Sequence, residues 1–454
     1  MKYKSQRAAY PYFVLAMILF GLQVLFGLVI AAQFIWPQLL RNILPFSVGR
    51  EVHLNTMVFW LLLGLMGATY YLVPEETQSE LYSTKLASLQ FWLLGLTGVA
   101  TVVGFLFGWT EGREYIEAPR LLDWLIVIGA LIFLFNVLAT ILKSRRWTAI
   151  MGVLFAGMTG LSLMYLVGMK FFGSISVDQF FWWWVIHFWV EGTWELIAAA
   201  ITAYLLVKLT GVNTKVVAKW LYIEVTLVVF TGVLGIGHHY YWIGTPKYWL
   251  MIGGLFGLLE PIPILLMVID TLRHTKGMKT AGTNRVALLW LVGAAITHFV
   301  GAGLMGVVQT LPSINKWTHG TQLTAAHGHL AFYGAFAMLV IAAMYYMVPE
   351  MTGALVSRKS GSRIFWMMLL SMCAMSLIMF GAGITQVYME RIMGLDFTYV
   401  KNSFTNFWLL WRLVAGFFFA WGTLWLVKDS LGLFSGSTEY YQTGVTYEDY
   451  INKG

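Results

Sequence analysis

Residues 121–142 read LLDWLIVIGALIFLFNVLATIL, twenty-two residues with one carboxylate, one amide and no basic side chain. A helix rises 1.5 Å per residue, so a stretch of this length covers about 30 Å, the hydrocarbon thickness of a bilayer. It lacks the two-residue alternation of a membrane barrel strand. Eleven similar runs flank it, at roughly 10–36, 52–74, 86–108, 149–171, 180–208, 217–243, 248–272, 284–310, 323–348, 363–391 and 403–430. The 454-residue chain is 59% hydrophobic and only 11% charged, and its charges cluster in the short stretches between these runs. Lipid offers the backbone no hydrogen-bonding partner, so long uniformly apolar spans must be helices. The expectation is an all-α integral membrane protein: one bundle of twelve transmembrane helices over residues 1–454, without a soluble domain.

The net charge of +8 is better explained by topology than by nucleic-acid binding. With the N-terminus inside, nineteen of the 29 Lys and Arg residues fall in inner segments, nine in outer ones, and Arg412 within the last span. The positive-inside rule then puts both termini in the cytoplasm. The basic residues Lys2, Lys4 and Arg7 precede an apolar run far longer than a signal-peptide core, so it reads as an uncleaved first span. Cys373 is the only cysteine. That excludes an intrachain disulfide, a paired-thiolate copper centre and a C-x-x-C-H haem attachment, so any c-type haem must belong to a partner.

Ionisable groups inside a span are costly and are functional candidates by default. Nine histidines occur, most of them within predicted spans. His327 and His329, in LTAAHGHLAFYG (323–334), are two apart and point to opposite sides of one helix, about 200° around it. Such a pair suits two separate planar cofactors, His being a common axial ligand of haem iron; the other reading is two hydrogen-bonded core histidines. His238 and His239, in VLGIGHHYYW (233–242), could converge on one ion if the glycines loosen the turn. His187, Glu191 and Glu195, in IHFWVEGTWE (186–195), form a polar stripe at i, i+4 and i+8, which could grip a metal, carry protons or pair helices. Three imidazoles with one carboxylate suit non-haem iron better than copper(I). His53, in REVHLNTMVFW (50–60), could be a second axial ligand. Glu260, in LLEPIPILL (258–266), is either a proton relay or a group satisfying a proline kink. His274, His298 and His319 read as structural or loop residues.

The order His53, His187, His238–His239, His327-x-His329 over twelve spans resembles the haem–copper oxidase superfamily across about residues 10–430. Three departures from its oxygen-reducing members point to the nitric oxide reductase branch. Glu191 stands where a tyrosine would follow the first metal histidine, residues 225–237 hold no tyrosine, and residues 248–272 lack a buried lysine. The resemblance implies that His53 and His329 ligate a low-spin haem b and His327 a haem b3. It implies that His187, His238, His239 and Glu191 hold non-haem iron, and that Glu195 and Glu260 support proton delivery. It further implies a calcium ion at Glu114 in the outer loop GREYIEAPR (112–120), with Glu117 receiving protons from the outer side and none pumped.

The implied reaction is the two-electron, two-proton reduction of two nitric oxide molecules to nitrous oxide and water. The first span begins near residue 10, with no cytochrome-like extension before it. The implied electron donor is therefore a small membrane-anchored cytochrome c subunit, fed by a soluble periplasmic donor. Alternatives are an oxygen reductase carrying copper, which would want a tyrosine near the site, a haem-based sensor, or a transporter. A transporter would more often show an internal repeat, and none is evident between the halves.

Overall fold

The structure, a computed structural model, describes residues 1–257, 259, 261–276 and 284–436. Among the described residues, twelve helical spans are long and apolar enough to cross a membrane: α1 (Lys4–Ile35), α2 (Phe46–Thr77), α3 (Thr84–Leu106), α4 (Arg120–Ser144), α5 (Ala149–Gly168), α6 (Ile175–Thr210), α7 (Thr214–His239), α8 (Lys247–His274), α9 (Arg285–Thr310), α10 (Gln322–Thr352), α11 (Arg358–Ile392) and α12 (Phe397–Ser435). Of α8, helices Lys247–Gly257 and Ile262–His274 are described. All twelve expected spans are present, and the protein is a multi-pass membrane protein.

Three spans differ from the rest. The most apolar windows of α2, α6 and α10 are 78%, 83% and 83% buried, against 33–50% elsewhere, so these three form the centre and the other nine surround them. The outer helices turn apolar stripes outward: Leu89, Trp92, Leu96, Val99 and Val103 of α3, three or four residues apart, are all exposed. In lipid such a stripe costs nothing, and close helix approach relies on small residues instead. Gly64 of α2 is one such contact, since a Cβ there would sit 2.3 Å from Val340 of α10.

The three central helices end alike, a likeness that comparing the two halves does not reveal. α2 ends in YYLVPEET (70–77) and α10 in YYMVPEMT (345–352), and the end of α6 follows the same register with fewer identities. Thr77, Thr210 and Thr352 each donate a hydroxyl proton to the carbonyl four residues back, at 2.7, 2.7 and 3.0 Å. Each helix then stops at a residue in the left-handed region, Gln78 (φ 54°), Gly211 (71°) or Gly353 (77°), a conformation that closes helix C-termini. Six residues before each threonine stands a tyrosine (Tyr71, Tyr204, Tyr346), and two residues before it a charge (Glu75, Lys208, Glu350). Lys208 pairs with Glu75, which also accepts from the Tyr204 hydroxyl at 2.9 Å. The Tyr71 and Tyr346 rings meet edge to face at 6.3 Å. These groups floor the end of the bundle richest in lysine.

Candidate metal and haem sites

Every histidine of the six-residue pattern lies on a central helix or on α7, and backbone carbonyls orient most of them. His187 closes the first α-helical part of α6, after which Phe188–Trp194 winds as a π-helix before the α-helix resumes at Glu195. π-turns often mark functional positions because the extra residue redirects side chains. Here His187 and Glu191 stay in contact, with Nδ1 to Oε2 at 3.3 Å. Glu195 has left their stripe. It accepts instead from Nε2 of His298 on α9 at 2.8 Å, with both residues buried. His298 is thus a satisfied core histidine, as expected, but its partner is a carboxylate that sequence reasoning assigned to the site.

α7 delivers the other two imidazoles. Its last turn, Gly235–His239, tightens to a 3-10 helix, the glycine-loosened turn anticipated from GIGHH. Gly237 is required there, because a Cβ would lie 1.9 Å from the carbonyl oxygen of Trp249 on α8. His238 Nε2 comes within 3.3 Å of Glu191 Oε2, and His239 Nε2 within 2.9 Å of Glu191 Oε1. One potential ligand atom from each of His187, Glu191, His238 and His239 falls within 4.8 Å of the others. On the far sides of the rings, His187 Nε2–H donates to the Thr231 carbonyl at 3.0 Å and His238 Nδ1–H to that of Gly253 at 3.3 Å. Trp183 stacks on His239 with ring centroids 5.3 Å apart and planes 7° apart. Backing of this kind fixes the tautomer and aims the remaining nitrogen, as around bound metals. Three nitrogens and a carboxylate oxygen are a donor set for an iron-like divalent ion.

The other three histidines share one design. Nδ1–H donates to a backbone carbonyl in His53 (Gln23, 2.9 Å), His327 (Gly301, 2.8 Å) and His329 (Ala325, 2.8 Å), so each presents Nε2. His53 and His329 line one cavity of about 370 Å³ with Phe34, Phe46, Arg50 and Arg412. Gly27 keeps that cradle open, since a Cβ there would come 2.8 Å from the His53 ring. Two imidazoles facing an apolar slot with two guanidiniums fit a planar tetrapyrrole with carboxylate side arms. His327 leaves the opposite side of α10, within electrostatic reach of Glu191 and His238.

The outer loop is held by charge. Glu114 bonds to Arg50, and Glu117 lies 3.7 Å from the same guanidinium and accepts from Asn55 at 2.5 Å. Burial pushes the Glu117 carboxyl up to about 7, against the lowering effects of Asn55 and Arg50. Burial also raises the neighbouring Tyr115 phenol, on which Glu191 acts electrostatically. Glu114 is therefore spoken for by Arg50, and among the described residues no group of three ligands gathers at this loop. Glu260 lies outside the described residues. Sequence reasoning missed Glu224, a fully buried carboxylate of α7, although a lone glutamate inside an apolar run was signal enough.

Residues 7–418 match the family described as cytochrome c and quinol oxidase polypeptide I, to which the chain therefore belongs, and the expected haem–copper oxidase type of bundle is met. The chain is 42% identical over 445 residues to a nitric oxide reductase subunit of Stutzerimonas stutzeri, covering 93% of this chain and 94% of that one, and is a member of that branch. It is more distantly similar to the cbb3-type cytochrome c oxidase subunit CcoN1 of the same organism, at 24% identity over 82% of each chain. To cytochrome c oxidase subunit 1 of Rhodobacter capsulatus the identity is 23%, over 81% of this chain and 73% of the other.

Proposed function

We propose that this chain is the catalytic subunit of a respiratory nitric oxide reductase, converting two nitric oxide molecules, two electrons and two protons to nitrous oxide and water. His187, His238, His239 and Glu191 would hold non-haem iron, His327 a haem b3, and His53 with His329 a low-spin haem b. When bound, the irons would supply the electrons and hold the two nitric oxide molecules together, which makes their coupling effectively intramolecular. Everything else falls to the protein. Glu191 brings the one negative charge in the cluster, so it would offset half the charge of a divalent ion and favour its more oxidised state. Trp183 covers one face of the His239 ring. The Glu114–Glu117 loop supports proton uptake from the outer side, because burial pushes the Glu117 carboxyl up to about 7 and Tyr115 of the same loop lies within electrostatic reach of Glu191.

The single observation that carries this reading is Glu191 meeting three imidazoles, where oxygen reductases are expected to pair histidines with a tyrosine. Electrons would come from a small membrane-anchored cytochrome c subunit, itself fed by a soluble periplasmic protein, with both termini of this chain in the cytoplasm of a bacterial inner membrane. The test is metal analysis of the purified complex alongside nitric oxide consumption. Iron exceeding total haem by about one per complex, with no copper, is expected; stoichiometric copper would reassign the site to oxygen reduction.

A further inference from the structure

The cavity between His53 and His329 holds a charge that the protein itself does not answer. Arg412, Gly416 and Phe419, at i, i+4 and i+7 along α12, turn one stripe of that helix to the cavity. Arg412 is 6% exposed, so it does not reach out to the membrane surface as a long basic side chain near a helix end commonly does. Its guanidinium lies over the Phe34 ring of α1, 4.8 Å from the centroid, and donates to the Ala31 carbonyl at 3.4 Å. Its Nε is buried with no hydrogen-bond partner among the described residues. The other cation of the cavity differs. Arg50 is paired with Glu114 and lies 3.7 Å from Glu117, so its charge is matched from the outer loop. Among the described residues no carboxylate lines the cavity.

A guanidinium keeps its proton in a protein, so Arg412 cannot escape its charge by titrating. A charge inside a span is costly, and such residues pair with an opposite charge or mark a ligand. A cation–π contact and one long bond to a carbonyl offset only part of the cost. The missing negative charge must come from what fills the cavity. A tetrapyrrole held between the two imidazoles carries carboxylate arms on one edge. Arg50 is shared with two glutamates, whereas Arg412 has none to share. Charges at close range act strongly on one another in a medium of low dielectric, and a cation favours the form of the iron that holds the extra electron.

We propose that Arg412 pairs with a carboxylate arm of the low-spin haem and sets that haem's midpoint potential, a role that rests on the haem assignment made above. Reduction adds one electron to the iron, and no bond or proton changes at Arg412. With the arm's charge answered, the haem accepts the electron readily. With Arg412 removed, the unanswered carboxylate opposes the electron and the midpoint falls. Arg412 takes no part in the chemistry of the substrate.

The test is an optical redox titration of the purified complex carrying Arg412→Met, beside Arg412→Lys and wild type. The methionine variant is expected to keep the low-spin spectrum, because both imidazoles remain. At a fixed poise its ratio of oxidised to reduced low-spin haem should rise at least about tenfold, a fall in midpoint of about 59 mV for one electron. The high-spin haem should titrate as in wild type, and the lysine variant should stay near wild type for both haems. If the methionine variant does not assemble, Arg412→Gln is titrated in its place. A neutral variant that assembles without its low-spin haem, while the lysine variant keeps it, also supports the ion pair. A neutral variant with the wild-type titration overturns the proposal, as does an equal shift of both haems or loss of the haem from the lysine variant too. The parent readings fail separately. A wild-type complex with no six-coordinate low-spin haem would sink the haem assignment, and one that consumes no nitric oxide would sink the proposed function while leaving this titration, which needs no substrate, fully readable.

Discussion

Glu191 Oε1 stands 2.9 Å from Nε2 of His239, a contact between α6 and α7 made by residues 48 apart in sequence. With the other oxygen facing His187 and His238, this one carboxylate organises all three imidazoles. Glu191→Ala is therefore expected to strip the non-haem metal and leave the haems. Iron in excess of haem should fall at least about tenfold after washing with chelator. Iron retained at the wild-type ratio would show that Glu191 is not a ligand.

The cavity between His53 and His329 makes a different prediction for each face of α10. His329→Ala should remove one haem per complex and with it the six-coordinate low-spin spectrum. His327→Ala should leave that spectrum intact and alter the high-spin signal. Optical and paramagnetic resonance spectra of the two variants decide this, and loss of the same haem in both would refute the opposite-face arrangement.

Glu117 should make stability depend on pH. Its carboxyl titrates near 7 in the folded protein and near 4.5 when unperturbed. Between those values the folded protein keeps a proton that the unfolded chain has lost, so stability falls as pH rises through the window. Glu117→Gln should flatten the fall, giving a smaller difference in Tm between pH 5 and pH 8 than the wild type. An undiminished difference would move the titration elsewhere.

Gly237→Ala should abolish assembly of the metal site, because the new methyl meets the Trp249 carbonyl, which belongs to rigid backbone. Gly152→Ala on α5, where a Cβ meets nothing within 4 Å, should give wild-type yield and haem content. Equal yields of the two variants would mean that the turn before His238 can relax.

The twelve spans were legible because twenty apolar residues in lipid permit only one structure. Their ends were less so: the last helix runs Phe397–Ser435 against an expected 403–430, since helix continues past the apolar run into polar sequence. The converging histidines were legible from type and order. The π-turn at Phe188–Trp194 was not, because a helix apolar on most sides has no periodic stripe whose drift would betray an extra residue. It is this turn that carries Glu195 away from His187 and Glu191. The Glu195–His298 pair joins residues 103 apart, which spacing rules do not reach. Glu224 and the repeated YYLVPEET and YYMVPEMT endings stood in plain sight, the first overlooked by attention to histidine, the second by comparing halves rather than the three central helices.

Those endings set a common level. His53 lies twenty-four residues before Thr77, His187 twenty-three before Thr210, and His329 and His327 twenty-three and twenty-five before Thr352. At 1.5 Å per residue each imidazole is metered about 35 Å up from the same sill. α6 and α10 each take one π-turn in that interval while α2 has none, so their heights are trimmed separately from a shared origin. Deleting one residue below any of these histidines would drop that ring by a step and swing it about 100° away from its neighbours.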